Sequence, residues 1–98
     1  MKRPEECENM RDVRAEIDRL DMALVRLLVE RAGYIDRAAQ VKAGVGLPAR
    51  IDERVEQVVQ NVRRLAQAEG LDPELAEGLW RRLIDWSIAR EEMSLGKA

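Results

Sequence analysis

From Val13 onward the apolar residues Val13, Ile17, Leu20, Leu24 and Leu27 alternate steps of four and three, the spacing of a helix–helix seam. The pattern predicts one long helix over about residues 10–43, with Asn9 as its N-cap and Asp12 in its first turn. At 1.5 Å per residue, about 34 residues extend roughly 50 Å. A compact chain of this length has a radius of gyration near 13 Å, hence a diameter of only about 30–35 Å. The helix outruns the core that its own chain can supply. Phe is absent and Tyr34, Trp80 and Trp86 are the only aromatic residues, so the core is aliphatic and short of buried area. Both facts predict a dimer, interlocked along the first helix.

Two further helices follow, because the chain is punctuated twice. "AGVGLP" (43–48) carries two Gly and a Pro, and "EGLDP" (69–73) offers Gly70 as a C-cap, Asp72 as an N-cap and Pro73 at the first helical position. The helices are expected over about 50–69 and 73–94, within a single domain spanning 1–98. There are no repeats or strand-like alternation, so the fold class is all-α. In the second helix the line Ile51, Val55, Val58, Val62 and Leu65 reads as the core face. In the third, Leu75, Leu79, Leu83 and Trp86 are expected to pack inward.

Composition removes several classes of function. The formal charge is −2, from 17 basic and 19 acidic residues, so no bulk field invites nucleic acid or an anionic membrane. Histidine is absent and Cys7 is the single cysteine, which argues against a metal site and excludes an internal disulfide. "MKRPEECENM" lacks an apolar signal core, and no apolar run approaches the roughly 20 residues that span a bilayer. A cytoplasmic protein is expected.

The end of the first helix, "VERAGYIDRAAQVK" (29–42), poses a problem. Continuing the seam past Leu27 gives Arg31, Ile35, Ala38 and Lys42. Eleven residues is about three turns, so the two cations differ by only about 20° in direction and stand roughly 16 Å apart along the axis. Both could snorkel, burying their stems and keeping their heads in water. Alternatively both lean inward over Ile35, Ala38 and Ala39 around one small anion, because buried cations need partners and no acidic residue of that stripe supplies one.

Arg54 adjoins the face of the second helix, while Arg50, Arg63 and Arg64 read as ordinary surface. Ser87 and Glu91 are four apart and share a face with Ile84; periodicity favours reading them as surface residues. Arg14, beside the seam, lies about 25 Å from Arg31, too far to share a small ligand within one chain. An ion pair with Asp18 would explain it. In an antiparallel dimer it could instead reach the partner's site.

At these residues the sequence resembles the all-helical chorismate mutase family. "VRAEIDRLDMALVRLLVERAGYIDRAAQVK" is similar to that family's long first helix, and register is kept through "RIDERV" and "LIDWSIAREE", so the likeness covers about residues 10–94. It rests on the joint spacing of Arg14, Arg31, Lys42, Arg54, Ser87 and Glu91. The resemblance implies an interlocked homodimer with two equivalent sites, a dianionic small-molecule substrate, and no cofactor. It further implies that Arg14 comes from the partner protomer and, with Arg31, binds substrate carboxylates, assisted by Arg54. Lys42 and Glu91 would donate to the ether oxygen and Ser87 would lie near a carboxylate, with Ile35, Ala38, Ala39, Ile51, Val55 and Ile84 lining the pocket. The activity implied is the pericyclic rearrangement of chorismate to prephenate, a step toward aromatic amino acids.

Two departures bear on that reading. Val55 stands where mutases often carry an acidic residue and Ile51 replaces another polar position. Val55, the opening "MKRPEEC" and "ERV" look like isochorismate–pyruvate lyase, a relative that makes salicylate. Glu91 stands where many relatives carry Gln. An ionised carboxylate cannot donate a hydrogen bond, so Glu91 is expected to act protonated, with activity rising as pH falls below neutral. The alternatives are thus a lyase in the same pocket, or a non-catalytic helical dimerisation module whose cations merely snorkel.

Overall fold

The computed structural model describes residues 1–95, in which the chain forms a 3₁₀ turn at Pro4–Glu6 and three α-helices, α1 (Met10–Val45), α2 (Asp52–Glu69) and α3 (Pro73–Leu95). Among the described residues there is no strand, and the fold is all-α. With 36 residues, α1 is about 54 Å long. Among the described residues no helix is long and apolar enough to cross a membrane. The chain divides into two compact units, Met1–Gly33 and Tyr34–Ala98, and the boundary falls inside α1.

In the first unit, Asn9 caps α1 as expected: its Oδ1 accepts the Asp12 N–H at 2.9 Å and its carbonyl accepts the Val13 N–H at 3.2 Å. The Asp12 carboxylate in turn accepts from the Lys2 ammonium at 3.0 Å and the Glu8 N–H at 3.2 Å. No residue of this unit is buried. Val13 is half-buried, but Ile17, Leu20, Leu24 and Leu27, the rest of the seam, are each at least 50% exposed. This unit therefore presents an apolar stripe that it does not itself cover.

The second unit holds the core. Ala49, Val59, Ile84 and Ile88 form its buried centre, with Val55, Val58, Trp80 and Leu95 packed against it. The helix ends follow from the punctuation. Gly46, at φ +74°, lets α1 stop in a left-handed residue, and the Leu47 N–H reaches back to the Lys42 carbonyl at 3.0 Å. Gly70, at φ +81°, ends α2 the same way, with the Leu71 N–H on the Ala66 carbonyl at 2.8 Å. Asp72 then caps α3 through its Oδ1 and the Glu74 N–H at 2.9 Å, with Pro73 at the first helical position.

Two buried faces differ from the sequence expectation. On α2 the residues turned inward are Val59 and Ala66, Val55, Val58 and Val62 are half-buried, and Leu65 is exposed. On α3 Ala76, Ile84, Ser87, Ile88 and Glu91 are buried, while Leu75, Leu79 and Trp86 are exposed and Leu83 is half-buried. The reason is that α3 is apolar on two sides. Its larger residues form one stripe, and the stripe turned toward the core contains an alanine, a serine and a glutamate, which hydropathy alone discounts.

Candidate active site

The last turns of α1 bring Lys42 to α3. Its ammonium Nζ lies 2.8 Å from Glu91 Oε1, and the side chains are only 18% and 5% exposed. The same ammonium donates to the Ala49 carbonyl at 2.8 Å. Lys42 thus holds the connection between α1 and α2 by two bonds: its carbonyl accepts from Leu47 and its side chain donates to Ala49. Glu91 Oε1 is fully buried and, despite its distance to Lys42, no donor is aligned on it as a well-formed hydrogen bond. The interaction is an ion pair and not an aligned hydrogen bond. Such a pair is costly to desolvate, and removing one partner would leave a buried charge uncompensated.

One turn before Glu91, Ser87 is 3% exposed and its hydroxyl donates to the Leu83 carbonyl at 2.8 Å. Ser87, Glu91 and Ile84 form one buried face of α3. The surface reading that periodicity favoured for Ser87 and Glu91 is overturned. So is the idea that Lys42 would find no protein partner: none exists on its own stripe, but α3 supplies one across 49 positions of sequence.

Ala39 is buried, and Ile35, Ala38, Ile51 and Val55 are half-buried. Arg54 is exposed and donates to Gln57 Oε1 at 2.6 Å. Arg14 and Arg31 belong to the first unit, where Arg14 is exposed and Arg31 half-buried.

Sequence reasoning missed a second link between α1 and α3. Arg90 donates through Nε to Asp36 Oδ1 at 2.5 Å and through Nη2 to Oδ2 at 2.9 Å, and its Cζ stands 5.4 Å from the Trp86 ring centroid. The Arg90 guanidinium holds the Asp36 carboxyl below its usual range. Asp36 and Arg90 are 54 positions apart, and each reads as ordinary helix surface, so no periodic signal could have joined them.

Comparison with known proteins identifies the family of the chain. A family model described as chorismate mutase type II matches residues 13–92. The chain is 38% identical over 92 residues to isochorismate pyruvate lyase of Pseudomonas aeruginosa, covering 93% of this chain and 89% of that protein. It is 34% identical over 84 residues to the T-protein of Haemophilus influenzae, covering 86% of this chain but only 22% of the relative. Over 88 residues it is 24% identical to chorismate mutase of Methanocaldococcus jannaschii, covering 90% of this chain and 89% of the relative.

Proposed function

This chain belongs to the chorismate mutase type II family, and from that premise we propose that it rearranges chorismate to prephenate at a pocket built around Lys42 and Glu91. The observation that carries the reading is the buried Lys42–Glu91 pair at 2.8 Å, contributed by two helices far apart in sequence. A soluble helical module has no need to bury two charges, because exposed ones cost less.

The reaction breaks an ether C–O bond as a C–C bond forms within one molecule. It requires no nucleophile, so a chain without histidine is adequate to it. What accelerates it is confinement of the dianion in a near-attack conformer and stabilisation of negative charge growing on the ether oxygen. An ammonium has three N–H donors. Ala49 and Glu91 take two directions of Lys42, and the ether oxygen would take the third. Glu91, when protonated, would supply a second donor to that oxygen. Ser87 would lie near a substrate carboxylate, with Arg31, Arg54 and the partner protomer's Arg14 as further cations. Ile35, Ala38, Ala39, Ile51, Val55 and Ile84 would line the pocket. The active form is a homodimer joined along the exposed seam of α1, working in the cytoplasm without a cofactor.

Substitution of Glu91 tests this reading: Glu91→Gln, whose amide can donate, should retain prephenate formation, whereas Glu91→Ala should lose about 10²-fold in kcat. A loss as deep in Glu91→Gln as in Glu91→Ala sinks the donor role given to Glu91. A second reading, isochorismate–pyruvate lyase, is favoured by the 38% identity to the Pseudomonas enzyme over nearly its whole length and by Val55, which cannot hydrogen-bond a ring hydroxyl. Salicylate released from isochorismate faster than prephenate is formed from chorismate would select it.

A further inference from the structure

Within the second unit α1 and α3 are joined by two charge pairs of different character. Lys42–Glu91 is buried, whereas the side chains of Arg90 and Asp36 are 43% and 48% exposed. We propose that Asp36 and Arg90 are positioning residues for the Lys42–Glu91 site, setting the rotation of α3 so that Glu91 meets Lys42. The proposal rests on the functional reading of that site given above.

Successive residues of a helix point about 100° apart. Glu92, next to Glu91 and half-buried, would take the direction of Glu91 only after a roll of about 100°, and a much smaller roll of α3 already carries Glu91 away from Lys42. Arg90 precedes Glu91 and is restrained on both sides. Its guanidinium fork engages both Asp36 oxygens, and on α3 itself the Trp86 ring lies against it one turn earlier. A bidentate fork fixes direction as well as distance, which a single ion pair does not. Asp36 also keeps Arg90 occupied, so that the arginine does not compete with Lys42 for the neighbouring Glu91. A pair this exposed adds little to global stability. Its effect is expected in geometry.

Three proteins test it: Asp36→Asn, Arg90→Lys and the double variant. Each keeps a polar side chain of similar reach at an exposed position, so folding is retained and is checked by thermal melting. The first readout needs no turnover: the ¹⁵Nζ resonance of the Lys42 ammonium, assigned by its loss in Lys42→Met, should shift or broaden in both single variants. With chorismate, each single variant should lose about five- to tenfold in kcat while KM changes by less than about twofold, because orientation and not binding is impaired. The double variant should lose no more than the worse single one, the mark of residues acting as one unit. Wild-type kcat with an unshifted Lys42 resonance in Arg90→Lys would overturn the proposal, as would single losses that multiply in the double variant. If the wild-type protein converts neither chorismate nor isochorismate, the functional reading fails, and the Lys42 resonance alone still decides whether the pair positions it.

Discussion

At the scale of single residues, Lys42 ties the fold together and, under the proposed function, also serves the chemistry. Its ammonium bridges the Ala49 carbonyl and Glu91, and its carbonyl receives the helix-ending bond from Leu47. Replacing it therefore has two consequences that can be separated. Lys42→Met should lower kcat/KM on chorismate by about 10²–10³-fold, through loss of a donor to the developing oxyanion. It should also destabilise the protein by about 3 kcal/mol in urea unfolding at pH 7, because Glu91 remains buried without its cation. Adding Glu91→Gln to Lys42→Met should recover part of that stability but none of the activity. A stability loss no smaller in the double variant would mean that the ion pair is not what Lys42 contributes to the fold. The sequence showed Lys42 on a stripe where a cation is out of place. It could not show the remedy, because Glu91 and Ser87 read as surface until α3 is docked.

At the scale of helices, the sequence was most legible where backbone chemistry is local. Asn9, Gly70, Asp72 and Pro73 all cap or end helices as their positions implied, since each act depends on a residue and its near neighbours. The inward faces of α2 and α3 were less legible, because both helices carry apolar residues on more than one side and tertiary packing chooses between them. Val59, 1% exposed, anchors the chosen face, and Val59→Ala should cost about 2 kcal/mol in denaturant unfolding; Leu65→Ala, on the exposed side of the same helix in the isolated chain, should cost far less. The clasp between α2 and α3 is ionic at its rim. Arg81 bonds Glu56 at 3.0 and 3.2 Å and Glu77 at 2.7 Å, and its guanidinium holds both carboxyls below their usual range. Because the folded form binds protons less readily there, this stabilisation is complete above the unfolded glutamate value of about 4.3 and is lost as pH falls through the lower folded values. The melting temperature should therefore decline between about pH 5 and 3 in the wild type and decline less in Arg81→Met. Equal slopes would contradict this assignment.

At the scale of the whole molecule, the length of α1 was legible from its seam alone, and the same seam is what motivates the proposed dimer. Ile17, Leu20, Leu24 and Leu27 are left exposed in the first unit, and a second copy of α1 is the surface that would cover them. Sedimentation should give a dimer, and Leu20→Lys combined with Leu24→Lys should dissociate it and abolish activity together. If Arg14 serves the partner's site, mixing inactive Arg14→Ala and Lys42→Ala proteins should restore about a quarter of wild-type activity, since half the dimers would be mixed and each would hold one intact site. No recovery would place Arg14 in its own protomer's site or in none. The central claim is that a buried lysine–glutamate pair rearranges chorismate, and one assay reaches it directly: prephenate from chorismate and salicylate from isochorismate, measured side by side for wild type and Lys42→Met. Prephenate formation should be the faster reaction in the wild type and should all but vanish in Lys42→Met. No prephenate from the wild type, or prephenate formed equally well without the Lys42 ammonium, would contradict it.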